Sequence, residues 1–237
     1  MLIREFLFRD REIEAETNLP TVSLFSGGGL SDLGYELAGF EILVQAEKDE
    51  NRATLCSENF SNTEIVVGEI QSVWETIVQK YQDVRSGDRL ALLSVTPPCQ
   101  GMSSSNPKRG ARENGQQRDT RNRLLLEAIP VINALEPRVV VVENVPQLLT
   151  EPHEPTEGGE EQALIEVFAK KLPNYFLFGR VVQMADYGVA QDRRRAIVVA
   201  IHVGEPWIPR LVEAGVGPWP APTHDRKPND GLLPWVT

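Results

Sequence analysis

The sequence is poor in the residues that build disulfide scaffolds and metal cages, with two cysteines, Cys56 and Cys99, and three histidines among 237 residues. Two cysteines make no disulfide framework, and they lack metal-ligand spacing with the histidines, so no metal site is expected. Long apolar runs are also missing. The most apolar stretch, 139–142, is strand-sized, which excludes a membrane span. Arg4, Glu5, Arg9, Asp10 and Arg11 break any apolar signal-peptide core, so a cytoplasmic location is expected. Positive charge is scarce as well: 24 Lys and Arg face 34 Asp and Glu, for a net charge of -10. Taken alone, that balance argues against a polyanionic partner. What remains is an ordinary globular composition, 41% hydrophobic and 24% charged, in a chain long enough for one large α/β domain with a sizeable core.

The location of the charge says more than its sum. Lys108, Arg109, Arg112, Arg118, Arg121 and Arg123 outnumber Glu113 and Asp119, making that loop locally positive, whereas 143–166 holds seven Glu and no Lys or Arg. Such a chain can offer one face to a polyanion and stay acidic elsewhere.

Short β-branched runs alternate with helical patterns, which predicts an α/β fold with a doubly wound, mostly parallel Rossmann-like sheet whose last strand is antiparallel. Strands are expected at 21–25, 41–46, 65–67, 90–95, 139–142, 176–183 and 196–203. Helices are expected after the first glycine turn to 38, then to about 59, and at 72–81, 121–135 and 161–171. Pro97-Pro98 ends the fourth strand, because proline cannot continue a central ladder. A long polar loop then runs to about 119. The prolines after Gly204, Pro206, Pro209, Pro218, Pro220 and Pro222 among them, predict an irregular tail. The expected division is an N-terminal extension 1–20, a cofactor-binding and catalytic domain 21–204, and a tail 205–237.

Phe25-Ser26-Gly27-Gly28-Gly29 follows the first strand, and Glu47 ends the second about twenty residues later. In a doubly wound sheet this arrangement suits a nucleotide: the glycines let a ligand approach backbone, and the acid takes ribose hydroxyls. A tight turn beside a solvated Glu is the plainer alternative. Cys99 directly follows the fourth strand and opens a loop rich in Gly, Ser, Asn and Arg, conditions that favour thiolate. Cys56 lies inside a helical pattern and is expected to be inert. Glu143 emerges from the most apolar strand into a low-dielectric setting, suited to a group that shares a proton; the alternative is a strand-ending Glu that caps the next turn. In Gln191-Asp192-Arg193-Arg194-Arg195, strand alternation sends Arg193 and Arg195 to one face, with a solvated strand edge as the alternative.

Taken in order, FSGGG, PPCQ, ENV and QxRxR resemble the DNA cytosine-5 methyltransferases over residues 21 to about 203. The resemblance implies methyl transfer from S-adenosylmethionine to C5 of a cytosine flipped out of duplex DNA. It implies that Cys99 is the nucleophile at C6, that Pro98 shapes its turn and borders the cofactor, and that Glu143 holds or protonates N3. Arg193 and Arg195 match arginines at the base carbonyl and catalytic site, and Gln100, Ser103 and Asn144 fall on the substrate side. Phe25, Ser26, Gly27 and Gly29 would surround the methionine moiety, Glu47 the ribose, Ile70 and Glu69 the adenine, and Leu124 the sulfonium. Four positions depart from the family pattern. Leu30 replaces a glycine, Lys48 an apolar or aromatic residue against adenine, Glu69 an aspartate facing the adenine amino group, and Ala190 a proline. No counterpart of the family's target recognition region or final motifs follows Arg195. This implies a catalytic half that pairs with a second polypeptide to read DNA, or else a truncated chain. The alternatives in other classes are an idle S-adenosylmethionine-binding partner protein, a nicotinamide-dependent oxidoreductase, and a transfer-RNA cytosine-5 methyltransferase.

Overall fold

The structure, a computed structural model, describes residues 18–85, 87, 89–98, 120–150, 152–153, 162–228 and 231–236. A seven-stranded sheet has the order β3-β2-β1-β4-β5-β9-β8, with β1 at Leu19–Leu24, β2 at Phe40–Glu47, β3 at Glu64–Val67, β4 at Leu92–Val95, β5 at Val139–Asn144, β8 at Tyr175–Gln183 and β9 at Arg194–His202. The expected mostly parallel α/β sheet is present. The chain divides into two compact units, the first from Met1–Pro98 and Arg123–Val141, the second from Cys99–Asn122 and Val142–Thr237.

In the first unit, β1 pairs in parallel with both β2 and β4, and β2 pairs in parallel with β3. Its central strands are buried on both faces, so Val22, Leu24, Val44, Leu93 and Val95 are fully buried. The polar Thr21, Ser23 and Ser94 that interrupt these strands are fully buried as well. The strand order reverses beside β1, and the loops leaving the carboxyl ends of β1 and β4 open where doubly wound sheets bind ligands. Helix α1 spans Leu30–Leu37, α2 spans Glu50–Asn59 and α3 spans Ile70–Val84. Asp49 caps α2 by accepting the Arg52 N–H at 3.0 Å. Helix α3 buries Ile70, Ile77 and Tyr81, the stripe expected of an amphipathic helix seated on a sheet.

The helix expected at 121–135 splits in two: a 3-10 stretch runs through Thr120–Ala128, and α4 occupies only Ile129–Leu135. Pro130 explains the break, since it sits in the first turn of α4 and can donate no N–H back into a preceding α-turn.

In the second unit β8 and β9 form an antiparallel ladder from Tyr175↔His202 to Gln183↔Arg194, and α5 is Gln147–Thr150. Two short strands, β6 at Pro152–His153 and β7 at Gln162–Ala163, precede α6, Leu164–Lys170, so this helix starts three residues later than its sequence pattern suggests. The tail is more ordered than its prolines predict, with α7 at Ile208–Glu213 and a parallel pair of β10, His224–Asp225, with β11, Leu233–Pro234. Pro209 lies at the N-terminal turn of α7, a position where proline favours a helix. No helix among the described residues is long and apolar enough to cross a membrane.

Candidate functional site

The site residues that the structure describes form two clusters, one in each unit. In the first, β1 ends at Leu24 and the chain turns through Phe25 and Gly27, both at φ 59, to Gly29 at φ 77, the N-cap of α1. A phenylalanine in the left-handed region costs about 1–3 kcal/mol and persists only where its surroundings enforce it. Here Thr96, one residue beyond β4, donates its hydroxyl to the Phe25 carbonyl at 3.0 Å. The Ser26 N–H donates to Ala46 O at 3.1 Å, and its hydroxyl to Ser23 O at 3.0 Å. The sequence pattern passed over Thr96; its position between a buried strand and a proline pair was the available signal.

Glu47 is 7% exposed and accepts three backbone N–H groups: Gly27 on Oε2 at 2.9 Å, and Lys48 and Asp49 on Oε1 at 3.0 Å each. One carboxylate therefore ties the glycine turn to the start of α2. The glycines themselves differ. A Cβ on Gly29 would meet the Phe60 ring at 2.5 Å, whereas one on Gly27 would meet nothing within 4 Å. Gly29 thus serves packing, and Gly27 leaves bare backbone beside open space. Beneath the turn, Gln45 Nε2 donates to Asp32 Oδ2 at 2.6 Å, and both residues are buried. Burial raises the Asp32 pKa, and the hydrogen bond from Gln45 offsets this only in part. Cys56 lies 3.2 Å from Gly27 O. Its thiol is pushed up to about 12 by burial and by the charges of Asp32 and Glu47, in accord with the inert role expected for it.

Glu69 is the N-cap of α3, with exposed side chain, and Ile70 behind it is 2% exposed. The register Glu47↔Val67 brings the ends of β2 and β3 level, and Lys48 Nζ faces Glu69 Oε1 at 3.8 Å. Two of the departures from the family pattern are therefore partners. Pro98 is exposed and Leu124 half-buried.

In the second unit, Glu143 and Asn144 end β5. Arg195 Nε donates to Glu143 Oε1 at 2.8 Å, with the two side chains 17% and 36% exposed respectively. Glu143 is thus more open than the apolar run before it suggested: a strand end leaves one flank uncovered, and the guanidinium covers the other. Asn144 is 2% exposed, and its Oδ1 accepts the Val145 N–H at 2.8 Å. Arg193 stands one residue before β9 and is exposed; its N–H donates to Gln183 Oε1 at 2.9 Å and its carbonyl accepts the Met184 N–H at 2.9 Å. Cys99, Gln100, Ser103, the basic loop up to Asp119 and most of the N-terminal extension lie outside the described residues. Among the described residues, no group of three or more His, Cys, Asp and Glu is placed to hold a metal ion.

The first cluster fits a nucleoside-bearing cofactor. The open space above Gly27 is room a Cβ would fill, and the buried Glu47 carboxylate stands beside it.

Comparison with known proteins agrees. The chain is 30% identical over 192 residues to the Type II methyltransferase M1.HgaI of Avibacterium volantium, covering 80% of this chain and 52% of that protein. It is 27% identical over 209 residues to the Type II methyltransferase M.AquIA of Picosynechococcus, covering 86% and 76%. Among solved structures, a putative DNA modification methyltransferase from an Escherichia coli prophage superposes with a TM-score of 0.60 at 22% identity, over 78% of this chain and 47% of that one. The chain thus spans about half the length of M1.HgaI and about three quarters of M.AquIA. With residues 19–228 matching its family model, the chain belongs to the C-5 cytosine-specific DNA methylases.

Proposed function

We propose that this chain carries the catalytic machinery that transfers a methyl group to C5 of a cytosine flipped out of duplex DNA, acting in the cytoplasm. The methyl donor of this family is S-adenosyl-L-methionine. The observation that carries the reading is the Arg195–Glu143 pair at the end of β5, an oriented carboxyl group of the kind that attack on a neutral pyrimidine requires.

Phe25, Ser26, Gly27 and Gly29 would hold the methionine end of the cofactor, Glu47 the ribose, Glu69 and Ile70 the adenine, and Leu124 and Pro98 the sulfonium region. When bound, S-adenosylmethionine would supply an electrophilic methyl group and leave as S-adenosylhomocysteine. Cys99 attacks C6 as a thiolate, forming an S–C6 bond while the C5–C6 π electrons become available at C5. Glu143 shares a proton with N3 and offsets the charge that builds on the ring. Arg195 holds Glu143 in place, and Arg193, with Gln100, Ser103 and Asn144, completes the surroundings of the base. After C5 is methylated, it loses its proton to a base, the S–C6 bond breaks and Cys99 leaves as thiolate. The DNA-reading surface is proposed to come from a second polypeptide that forms a heterodimer with this chain.

The test is covalent capture on duplex DNA containing 5-fluorocytosine, with S-adenosylmethionine and a complementary recognition chain present. Wild type and Cys56→Ala should form a complex that survives denaturation, and Cys99→Ala should not. Capture by Cys99→Ala would refute the nucleophile, and capture by the chain alone at an undiminished rate would refute the need for a partner.

A further inference from the structure

The loop that leads into Arg193 and Arg195 hangs from the edge of the sheet. Strand β8 ends the strand order and lies beside β9, and their ladder closes at Gln183↔Arg194. Beyond that rung the chain runs out through 184–192, and a backbone bond from the Met184 N–H to Arg193 O at 2.9 Å ties its two ends. The Gln183 side chain spans the same gap. Its Oε1 accepts the Arg193 N–H at 2.9 Å, and its Nε2 donates to Asp192 Oδ1 at 2.6 Å. The same Oε1 takes the Ala185 N–H at 3.5 Å, so one amide reaches both ends of the loop. A primary amide suits this because it carries an acceptor and donors on one rigid plane. The first half of the loop has anchors of its own: the Asp186 carboxylate accepts Trp235 Nε1–H at 3.0 Å, and the Asp186 carbonyl accepts the Thr223 N–H at 2.9 Å.

We propose that Gln183 is a positioning residue for methyl transfer: by holding the Arg193 N–H and the Asp192 carboxylate, it fixes the backbone from which Arg193 reaches the target base. The idea rests on the role proposed above for Arg193. Asp192 and Arg193 both precede β9 and both are exposed, so neither the ladder nor burial keeps them in place. The anchors at Asp186 act on the other half of the loop. The two strong Gln183 bonds fall instead on the residue that must be placed and on its neighbour. An arginine is long, so a small swing of its backbone moves the guanidinium further, and a displacement of about 1 Å at a reacting group can cost about 10²-fold in rate.

Three variants of the full chain test this. Gln183→Met keeps the length of the side chain and removes both bonds. Gln183→Glu keeps an acceptor for the Arg193 N–H but sets a second carboxylate against Asp192. Adding Asp192→Asn to it restores a donor–acceptor pair with the roles exchanged. Amide hydrogen exchange over 184–195 should speed up at least fivefold in Gln183→Met and Gln183→Glu, and return to within twofold of wild type in the double variant. Single-turnover methylation of duplex DNA, with the complementary recognition chain present, should follow the same order: at least tenfold slower in the single variants, within threefold of wild type in the double. Calorimetric affinity for S-adenosylmethionine should stay within twofold throughout. Wild-type exchange in Gln183→Met, or a double variant as impaired as Gln183→Glu, would overturn the brace. So would faster exchange at an unchanged methylation rate, where Arg193→Ala does slow the reaction. Should Gln183→Met not fold, the contrast between Gln183→Glu and the double variant carries the test. If Arg193→Ala methylates as wild type does, the role given to Arg193 fails instead, and the order of exchange rates still decides whether Gln183 braces the loop.

Discussion

Arg195, at the start of β9, holds Glu143 near the end of β5 through a 2.8 Å Nε to Oε1 contact, so two strands distant in sequence fix one carboxyl group. The guanidinium is mostly covered and Glu143 about one third exposed. Solvent therefore weakens the pair's contribution to stability, and orientation is what it chiefly supplies. Arg195→Ala should lower the single-turnover methylation rate by about 10²-fold or more, the scale on which a positioned acid contributes. Its affinity for S-adenosylmethionine should stay within twofold of wild type. Rapid-quench turnover and calorimetry on the same variant check this. A matching loss of affinity with no separate rate defect would contradict it.

Lys48 and Glu69 face each other at 3.8 Å with both side chains more than half exposed, so the ion pair itself contributes little, about 0–1 kcal/mol. Lys48, in the adenine position proposed here, offers a methylene stem that ends in a charge, where a purely apolar side chain could cover the ring. Replacing it with Ile should tighten S-adenosylmethionine binding several-fold, which corresponds to about 1 kcal/mol of added apolar contact. Titrations at low and high salt should separate lost charge from gained packing, because only an electrostatic gain fades with salt. Weaker binding by Lys48→Ile at both ionic strengths would show that the lysine is itself a ligand group.

The sequence makes the strands and the glycine turn of this arrangement legible and leaves their bracing hidden. Strands such as Val139–Asn144 and the FSGGG turn declare themselves through composition, because buried parallel strands must be apolar and tight turns must be glycine. Glu47 was found from its distance beyond the turn, yet nothing in the pattern says that it takes three backbone N–H groups. Thr96 escapes the sequence for the same reason: it acts on Phe25, a residue far along the chain, and spacing carries no trace of such a contact. Pro130 was visible, but the apolar periodicity on either side of it outweighed it. The outcome was one long helix where the structure has a 3-10 stretch and a short α-helix.

Asp32 gives a pH dependence with a definite sign. Its pKa is raised by burial, so the folded state binds its proton more tightly than the unfolded chain does. The cost of ionising it in place is fully present above the folded pKa and disappears below the unfolded one, near the ordinary Asp value of about 3.9. Asp32→Asn preserves an oxygen for the Gln45 amide and carries no charge. It should melt above wild type at pH 8, and the advantage should shrink steadily as the pH falls toward 4. Thermal melts of the two proteins across that range provide the check. A difference independent of pH would mean that Asp32 is not the titrating group.

Gly27, Gly28 and Gly29 are adjacent in sequence yet should respond differently to the same added methyl group. At Gly28 a Cβ meets Leu55 at 3.6 Å, an ordinary contact on backbone that is not left-handed, so Gly28→Ala should be nearly neutral. At Gly29 a Cβ would lie 2.5 Å from the Phe60 ring on left-handed backbone. Backbone strain of roughly 1–2 kcal/mol and overpacking of roughly 1–3 kcal/mol then add, for about 2–5 kcal/mol of lost stability. At Gly27 the strain is similar, but the methyl group meets nothing within 4 Å, so Gly27→Ala should lose only about 1–2 kcal/mol. Its main effect should fall on the ligand, because that methyl group occupies the space assigned to the cofactor. Gly27→Ala should therefore bind S-adenosylmethionine at least tenfold more weakly while remaining more stable than Gly29→Ala. Denaturant melts and calorimetry on the three variants test both orders at once. If Gly27→Ala binds as wild type does, the open space above Gly27 is not where the cofactor lies, and the pocket must be sought elsewhere on the first unit.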